Sequence, residues 1–167
     1  MELKLKLGQS DPIAAESAVV VEQSNEDVFE FIADRFHENY PKWMLDVKEL
    51  EPLDGVPIKH GSKVRQVRIE NEEEITSVFE ITHLTPTDLL SLQGIDMPYR
   101  QTYQIEAIGP HQSTITFRFE LLEVELFMRP FVKLIRSAIE EGVESTTQTL
   151  QELLNHPETA PASSVGE

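Results

Sequence analysis

Residues 46–124 carry the strongest constraint on the fold, because they contain six short segments in which apolar and polar residues alternate. The segments read VKELEPL, KVRQVRIE, EITSVFEITHL, LLSLQGI, RQTYQIEAI and STITFRFELLEV, and turn-forming residues separate them. Successive side chains of a β-strand point to opposite faces, so the alternation predicts strands with one apolar and one polar face. We expect an antiparallel sheet that is covered on one side only.

A further strand and a short helix are predicted before this region. The valine-rich run AESAVVVE, residues 15–22, has the length and composition of a strand. Ser24 then precedes an apolar stripe at helical spacing, with Asp27 three residues further on. This is a variant of the capping box, and it predicts a helix at about 25–33.

Two more helical segments are predicted, one after the first helix and one near the end of the chain. FHENYPKWM, residues 36–44, predicts a second short helical turn, in which Pro41 disfavours a helical conformation at Tyr40. Apolar residues recur at helical spacing after Pro130 and predict a long helix at about 130–154. This helix is long enough to cover the apolar face of the sheet.

Length and composition bound the domain organisation. The 167 residues predict one domain at 1–155. The segment that follows, 156–167, is short of large apolar residues and predicts a disordered C-terminal tail. No cysteine is present, so disulfides and thiolate metal sites are excluded.

Charge and hydropathy restrict the partners. Thirty Asp and Glu against fourteen Lys and Arg give a net charge of −16, which disfavours nucleic acid and anionic lipid surfaces. The N-terminal MELKLKLGQS lacks the apolar core of a signal peptide, and no run reaches the roughly 20 apolar residues of a membrane span. We therefore expect a cytoplasmic protein without stable membrane insertion, and we make no prediction of its oligomeric state.

Five stretches occur in a characteristic order: VVVEQSNEDVFEFIAD, the single Trp43, LDGVPIKHGSK, STITFRFEL, and LFMRPF at the entrance to the long helix. Over residues 15–154 this order resembles the START-like helix-grip superfamily, also called SRPBCC, and within it the polyketide cyclase/dehydrase and lipid-transport branch. The resemblance implies an α+β helix-grip fold, with a curved antiparallel sheet of about seven strands wrapped around the C-terminal helix. It also implies a cavity for an apolar or amphipathic molecule between sheet and helix.

Candidate ligand-binding residues come from the short helices and from the apolar face of the sheet. Tyr99, Gln101 and Tyr103 share one face of a strand and place polar groups on an apolar wall; alternatively, the two hydroxyls reach solvent at the rim. Tyr40 and Trp43 line the cavity mouth, or Trp43 seals the short helices onto the sheet edge. The full candidate set is Tyr40, Trp43, Phe79, Tyr99, Gln101, Tyr103, Phe117, Phe119, Phe131 and Ile135.

Four arginines, Arg65, Arg68, Arg100 and Arg118, could grip a ligand carboxylate, and only one or two of them could point inward. Arg100 and Arg118 are out of phase with the apolar face, so we expect them to be solvated and paired with surface Glu. Arg68 is in phase with Gln66, and its direction is left open.

Gly142 lies within the predicted long helix, where glycine costs about 1 kcal/mol relative to alanine. This cost suggests that a ligand, or a sheet residue such as Phe117, approaches the helix there. The predicted cavity is either open or filled by aromatic side chains, of which Phe117, Phe119, Phe127 and Phe131 are the candidates.

The sequence contains no metal-binding or catalytic signature. HENYP, residues 37–41, lacks the second histidine of a zinc motif, and the carboxylates of NEEEI, residues 71–75, fall in an expected hairpin turn. We predict no metal and no cofactor, and we assign no catalytic residue. The expected function is binding of a small hydrophobic ligand, such as a lipid, quinone or polyketide-like molecule. The alternatives are a polyketide cyclase or dehydratase, and a protein-interaction module that acts through the acidic surface.

Overall fold

The computed structural model describes residues 12–156, in which seven antiparallel strands form one curved sheet. In chain order the elements are β1 (Ile13–Val21), α1 (Asn25–Phe29), a π-helical turn (Glu30–Asp34), α2 (Phe36–Trp43), β2 (Val47–Pro52), β3 (Lys63–Glu70), β4 (Glu73–Thr85), β5 (Leu89–Gly94), β6 (Tyr99–Gly109), β7 (Gln112–Leu121), a 3-10 helical turn (Leu126–Phe131) and α3 (Val132–Asn155). The strand order β1-β7-β6-β5-β4-β3-β2 confirms the predicted helix-grip fold. MELKLKLGQS and all of the predicted tail except His156 lie outside the described residues.

The alternation predicted for the strands produces one buried and one exposed face. Tyr103 on β6 pairs with Phe117 on β7, and both side chains are buried on the concave face. Arg100 and Arg118 face outward, as predicted, and both contact the carboxylate of Glu120, at 3.1 and 3.7 Å. The core therefore lies between the concave face of the sheet and the helices.

The two short helices begin as predicted, but they are separated at a different residue. Ser24 caps α1, and its Oγ accepts a hydrogen bond from the backbone N–H of Asp27 at 3.1 Å. The expected interruption before Pro41 is wrong, because Pro41 lies inside α2 and the chain leaves helical geometry at Arg35. Proline removes only one backbone donor from this short helix, and burial of Tyr40 on its inner side stabilises the helical conformation.

The long helix α3 is attached to the sheet by its second half. Its buried residues are Val143, Thr147, Leu150, Leu153 and Leu154, whereas Val132–Gly142 contains none. Each fully buried leucine contributes about 1.5–3 kcal/mol to the stability of the fold. The second half of α3 therefore holds the helix in place.

Polar contacts to β1 and the segment that follows it reinforce this attachment. Thr147 Oγ1 lies 2.9 Å from Ser17 Oγ, and the Gln151 side-chain amide donates to the Val20 carbonyl at 3.0 Å. The backbone N–H of Glu22 donates to the Asn155 side-chain oxygen at 2.8 Å. The first half of α3 lacks such polar anchors among the described residues.

Strand β2 forms one edge of the sheet, since it pairs with β3 alone. The register of this pair shifts between Val47 and Glu49, which marks a β-bulge. Lys48, Glu49 and Glu51 are exposed on this short strand. Across the described residues, no helix is both long and apolar enough to cross a membrane.

Candidate functional site

A cavity of about 450 Å³ lies between the concave face of the sheet and the middle of α3, which lines it from Ala138 to Thr149. This volume falls within the range of about 300–1,000 Å³ that is usual for small-molecule sites. The cavity opens to solvent beside the segment that follows α2, where Leu45 is exposed. Its lining residues are Tyr40, Trp43, Met44, Leu45, Asp46, Val47, Gln66, Arg68, Tyr99, Gln101, Phe117, Phe119, Ala138, Ile139, Gly142, Val143, Ser145, Thr146 and Thr149.

Four buried side chains form a hydrogen-bond chain at the inner wall of the cavity. The indole N–H of Trp43 donates to Tyr103 Oη at 3.0 Å, and Tyr103 donates in turn to Gln101 Oε1 at 2.8 Å. The Gln101 amide then donates to Tyr40 Oη at 3.2 Å. Because these polar groups are paired with one another, the four hydrogen-bonded side chains fix α2 against β6. They also leave little free hydrogen-bonding capacity for a ligand.

A second polar group in the cavity is less completely paired. Gln66 on β3 is 2 % exposed, and its Nε2 lies 3.4 Å from both Ser77 Oγ and Tyr99 Oη. Its Oε1 is buried and has no hydrogen-bond partner among the described residues. Such an atom costs about 1–3 kcal/mol when it stays unpaired, so it marks the place where an incoming polar group gains most.

The three tyrosines at the site are neutral hydrogen-bonding groups. Burial raises the pKa of Tyr99 to about 12. Burial also raises the pKa of Tyr40 and the pKa of Tyr103 well above the usual value. These phenols therefore keep their protons at neutral pH and remain hydrogen-bonding groups without charge.

One cationic side chain, Arg68, lines the cavity, and two carboxylates form ion pairs with it. The Arg68 guanidinium lies 3.0 Å from Asp46 Oδ2 and 2.7 Å from Glu70 Oε2. Burial is the largest influence on Arg68 and by itself lowers the pKa, but the charges of Asp46 and Glu70 leave the pKa above its usual value. Arg68 and its two carboxylate partners together carry a formal charge of −1.

The structure brings six of the ten predicted residues to the cavity: Tyr40, Trp43, Tyr99, Gln101, Phe117 and Phe119. Phe79 and Tyr103 do not line it. The Phe79 ring packs 6.0 Å from that of Phe36, and the Tyr103 ring packs 5.9 Å from that of Trp43. Aromatic residues of α2 thus lie against both side chains and enclose them in the core. Trp43 lines the cavity and also seals α2 onto the sheet, so both of its proposed roles are compatible with its position.

Phe131 and Ile135 were also predicted to bind the ligand, and neither residue is part of the cavity lining. Phe131 is 56 % exposed and Phe127 is 71 % exposed, so neither aromatic ring fills the space. Leu126–Phe131 is a 3-10 turn with about 3.0 residues per turn, so an apolar stripe extended back at the α-helical period falls on the wrong residues. Ile135 belongs to the half of α3 that stands away from the sheet.

Gly142 lies at the mouth of the cavity, on the helix that covers it. A Cβ atom built on Gly142 would meet no heavy atom within 4 Å. The expectation that a sheet residue such as Phe117 approaches the helix here is therefore wrong. The glycine leaves space that a ligand can use.

Gln66 is the most informative residue that was not among the predicted binding residues. It occupies an inward position of β3, between the buried residues Val64 and Val67. The sequence did carry a signal for Gln66, because the strand alternation places this polar residue on the apolar face. Arg68 has the same position in the alternation. Strand alternation alone does not reveal that one end of the Gln66 amide is unpaired.

Metal-ligating side chains are sparse at the site, where Asp46 is the one carboxylate that lines the cavity. Within residues 12–156, no three His, Cys, Asp or Glu side chains come close enough together to hold a metal ion. The groups available to a ligand are therefore apolar surface, neutral hydroxyls, amides and one paired arginine.

Solved structures share this architecture at low sequence identity. The Zhui aromatase/cyclase from Streptomyces sp. R1128 aligns over 90% of this chain and 98% of its own, with a TM-score of 0.71 and 12% identity. A norcoclaurine synthase point mutant from Thalictrum flavum, in complex with a transition-state analogue, aligns over 89% and 97%, with a TM-score of 0.65 and 14% identity. The major latex-like protein 151 of Panax ginseng aligns over 87% and 99%, with a TM-score of 0.65 and 10% identity. At these identities the similarity establishes the fold alone.

Comparison of the sequence with known proteins and protein families gives the family of this chain. No curated protein is significantly similar to this sequence. The sequence profile for polyketide cyclase / dehydrase and lipid transport proteins, however, matches residues 12–154, from the start of β1 to the last turn of α3. The chain therefore belongs to the polyketide cyclase/dehydrase and lipid transport family.

Proposed function

We propose that this protein binds a small, mostly apolar molecule in the cavity beneath the middle of α3. The observation that carries the proposal is a cavity of about 450 Å³ between the apolar wall of the sheet and the middle of α3, whose fully buried residues begin only at Val143. Phe117, Phe119 and Ile139 supply apolar surface there. Burying such surface contributes roughly 25 cal/mol per Å², enough to hold a small hydrophobic ligand.

The polar groups of the cavity support recognition rather than bond-making. The tyrosines are protonated, and Arg68 is held by Asp46 and Glu70. A general base needs a suitable pKa and access to the proton it removes, and no tyrosine here has such a pKa. Lipids, quinones and polyketide-like molecules are the candidate ligand classes.

Gly142→Leu tests the proposal, because a leucine side chain at this position would extend into open space at the mouth. Gln148→Leu is the matched control, since Gln148 is exposed on the same helix and lies outside the cavity lining. Native mass spectrometry of each purified protein, beside its denatured mass, reports co-purified ligand. Quenching of Trp43 fluorescence by the neutral quinone menadione reports binding near the single tryptophan.

We expect saturable quenching in the parent and in Gln148→Leu, and binding weakened about tenfold or more in Gly142→Leu. Equal binding in all three proteins would indicate that the ligand binds outside this cavity. Absence of both co-purified mass and quenching in the parent would contradict the proposed function.

A further inference from the structure

The unpaired end of the Gln66 amide bears on which ligands the cavity prefers. Gln66 is almost completely buried, lines the cavity and leaves Oε1 without a partner among the described residues. Its Nε2 is 3.4 Å from Ser77 Oγ and from Tyr99 Oη, and both contacts are long for a hydrogen bond. The site therefore gains stability from a ligand atom that can donate a hydrogen bond.

Tyr99 places a complementary group beside this amide. Its hydroxyl accepts from Gln66 Nε2 and keeps its own proton, so it can donate to a ligand oxygen. Ser77 and Tyr99 can each donate or accept, so a half-turn of the Gln66 amide would present its NH₂ end to the cavity instead. A hydroxyl both donates and accepts, and it is the simplest group that pairs with either orientation.

Charge at the mouth disfavours an anionic ligand. Arg68, two residues from Gln66 on the same strand, is engaged by Asp46 and Glu70 at 3.0 and 2.7 Å. A ligand carboxylate that approached Arg68 would lie beside Asp46 and Glu70 and would be repelled by both of these carboxylates. The net charge of −16 adds to this repulsion.

We infer that the cavity selects neutral, mostly apolar molecules that carry a hydroxyl, and that this hydroxyl lies between Gln66 and Tyr99. The inference rests on the proposed binding in this cavity and adds the chemical class of the ligand. Phe117 and Phe119 contact the apolar body, while the Gln66 amide and the Tyr99 phenol orient it.

Three probes of similar shape test this selection: 2-naphthol, naphthalene and 2-naphthoate. Their affinities are measured by equilibrium dialysis at about pH 7, where the naphthol is neutral and the naphthoate is charged. We expect the parent protein to bind 2-naphthol roughly five- to tenfold more tightly than naphthalene, and 2-naphthoate most weakly.

Variants assign the preference to the two side chains. Gln66→Leu is expected to bring the naphthol-to-naphthalene affinity ratio to about one, and Tyr99→Phe to lower it several-fold. Gln104→Leu is the matched control, because Gln104 is exposed on β6 outside the cavity, and it should keep the parental ratio. Circular dichroism verifies folding, and Tyr99→Phe carries the test should Gln66→Leu fail to fold.

The outcomes separate this inference from the proposed function. Equal parental affinity for 2-naphthol and naphthalene, preference for 2-naphthoate, or a ratio that both cavity variants leave intact overturns the hydroxyl site while cavity binding stands. Absence of binding by all three probes overturns both.

Discussion

The indole N–H of Trp43 donates to the hydroxyl of Tyr103 at 3.0 Å, and both side chains are buried. This bond joins the end of α2 to the centre of β6. Tyr103 in turn donates to Gln101 at 2.8 Å, so its hydroxyl serves two partners. The Tyr103 hydroxyl therefore links two side chains that line the cavity, Trp43 and Gln101.

Tyr103→Phe is expected to lower the free energy of unfolding by about 1–3 kcal/mol, because the buried indole N–H of Trp43 loses its acceptor. Urea denaturation measures the change. Tyr99→Phe is the control and should cost less than about 1 kcal/mol, since the Tyr99 hydroxyl makes only a 3.4 Å contact with Gln66. An equal or larger loss in the control would contradict the role assigned to Tyr103.

Alkaline pH is expected to destabilise the fold through its tyrosines. All three are buried, and burial raises the pKa of Tyr99 to about 12. The unfolded chain releases these protons near about pH 10, whereas the folded chain retains them, so rising pH favours unfolding. Each buried tyrosine that stays protonated lowers the free energy of unfolding by about 1.4 kcal/mol per pH unit above about pH 10. Below about pH 10 the tyrosines have no such effect.

Urea unfolding from about pH 8 to about pH 11, combined with phenolate absorbance, tests this dependence. Tyrosine ionisation should coincide with unfolding rather than precede it. Tyr99→Phe has one buried phenol fewer and should lose less stability over the same range. Titration of the three phenols near about pH 10 in the folded protein would contradict the prediction.

Gly142→Ala is expected to stabilise the protein by about 1 kcal/mol, because alanine favours the helix and the new Cβ meets no atom within 4 Å. Gly94→Ala is the opposite case, since its Cβ would clash with the Met97 carbonyl oxygen and lie 2.6 Å from the Tyr99 ring. It should cost about 1–3 kcal/mol. Thermal unfolding of both variants measures the difference, and destabilisation by Gly142→Ala would indicate that the space near it is occupied.

The exposed aromatics before α3 should contribute little to folding. Phe127→Ser and Phe131→Ser are expected to change the free energy of unfolding by less than about 0.5 kcal/mol. Phe117→Ala removes a buried ring and should cost about 3–5 kcal/mol. Urea denaturation compares the three, and a loss at Phe131 as large as that at Phe117 would place its ring inside the fold.

The strands were predictable because side-chain alternation is a local property. Tyr99, Gln101 and Tyr103 occupy one face, as expected from their spacing, and all three are buried. Their different environments were not predictable, because these depend on where α2 packs. Trp43 lies over Tyr103, whereas Tyr99 remains beside the cavity.

The long helix illustrates a second limit. Its apolar spacing indicated a helix, but spacing does not reveal how far a helix lies from the sheet it covers. Val143 is buried and Ile139 is partly buried against the core, while Phe131, twelve residues before Val143, is exposed. The α3 residues that line the cavity run from Ala138 to Thr149 and so span the middle of the helix.

The bulged, charged edge strand β2 has a consequence for behaviour at high concentration. A sheet edge offers unpaired backbone groups to any extended chain that approaches it, and this is how folded proteins begin to aggregate. Here the bulge between Val47 and Glu49 interrupts the hydrogen-bonding ladder, and Lys48 and Glu51 keep their charges in water. An added strand at this edge would have to bury those charges and bridge the irregular register, so β2 protects the sheet from growing by addition of a second molecule.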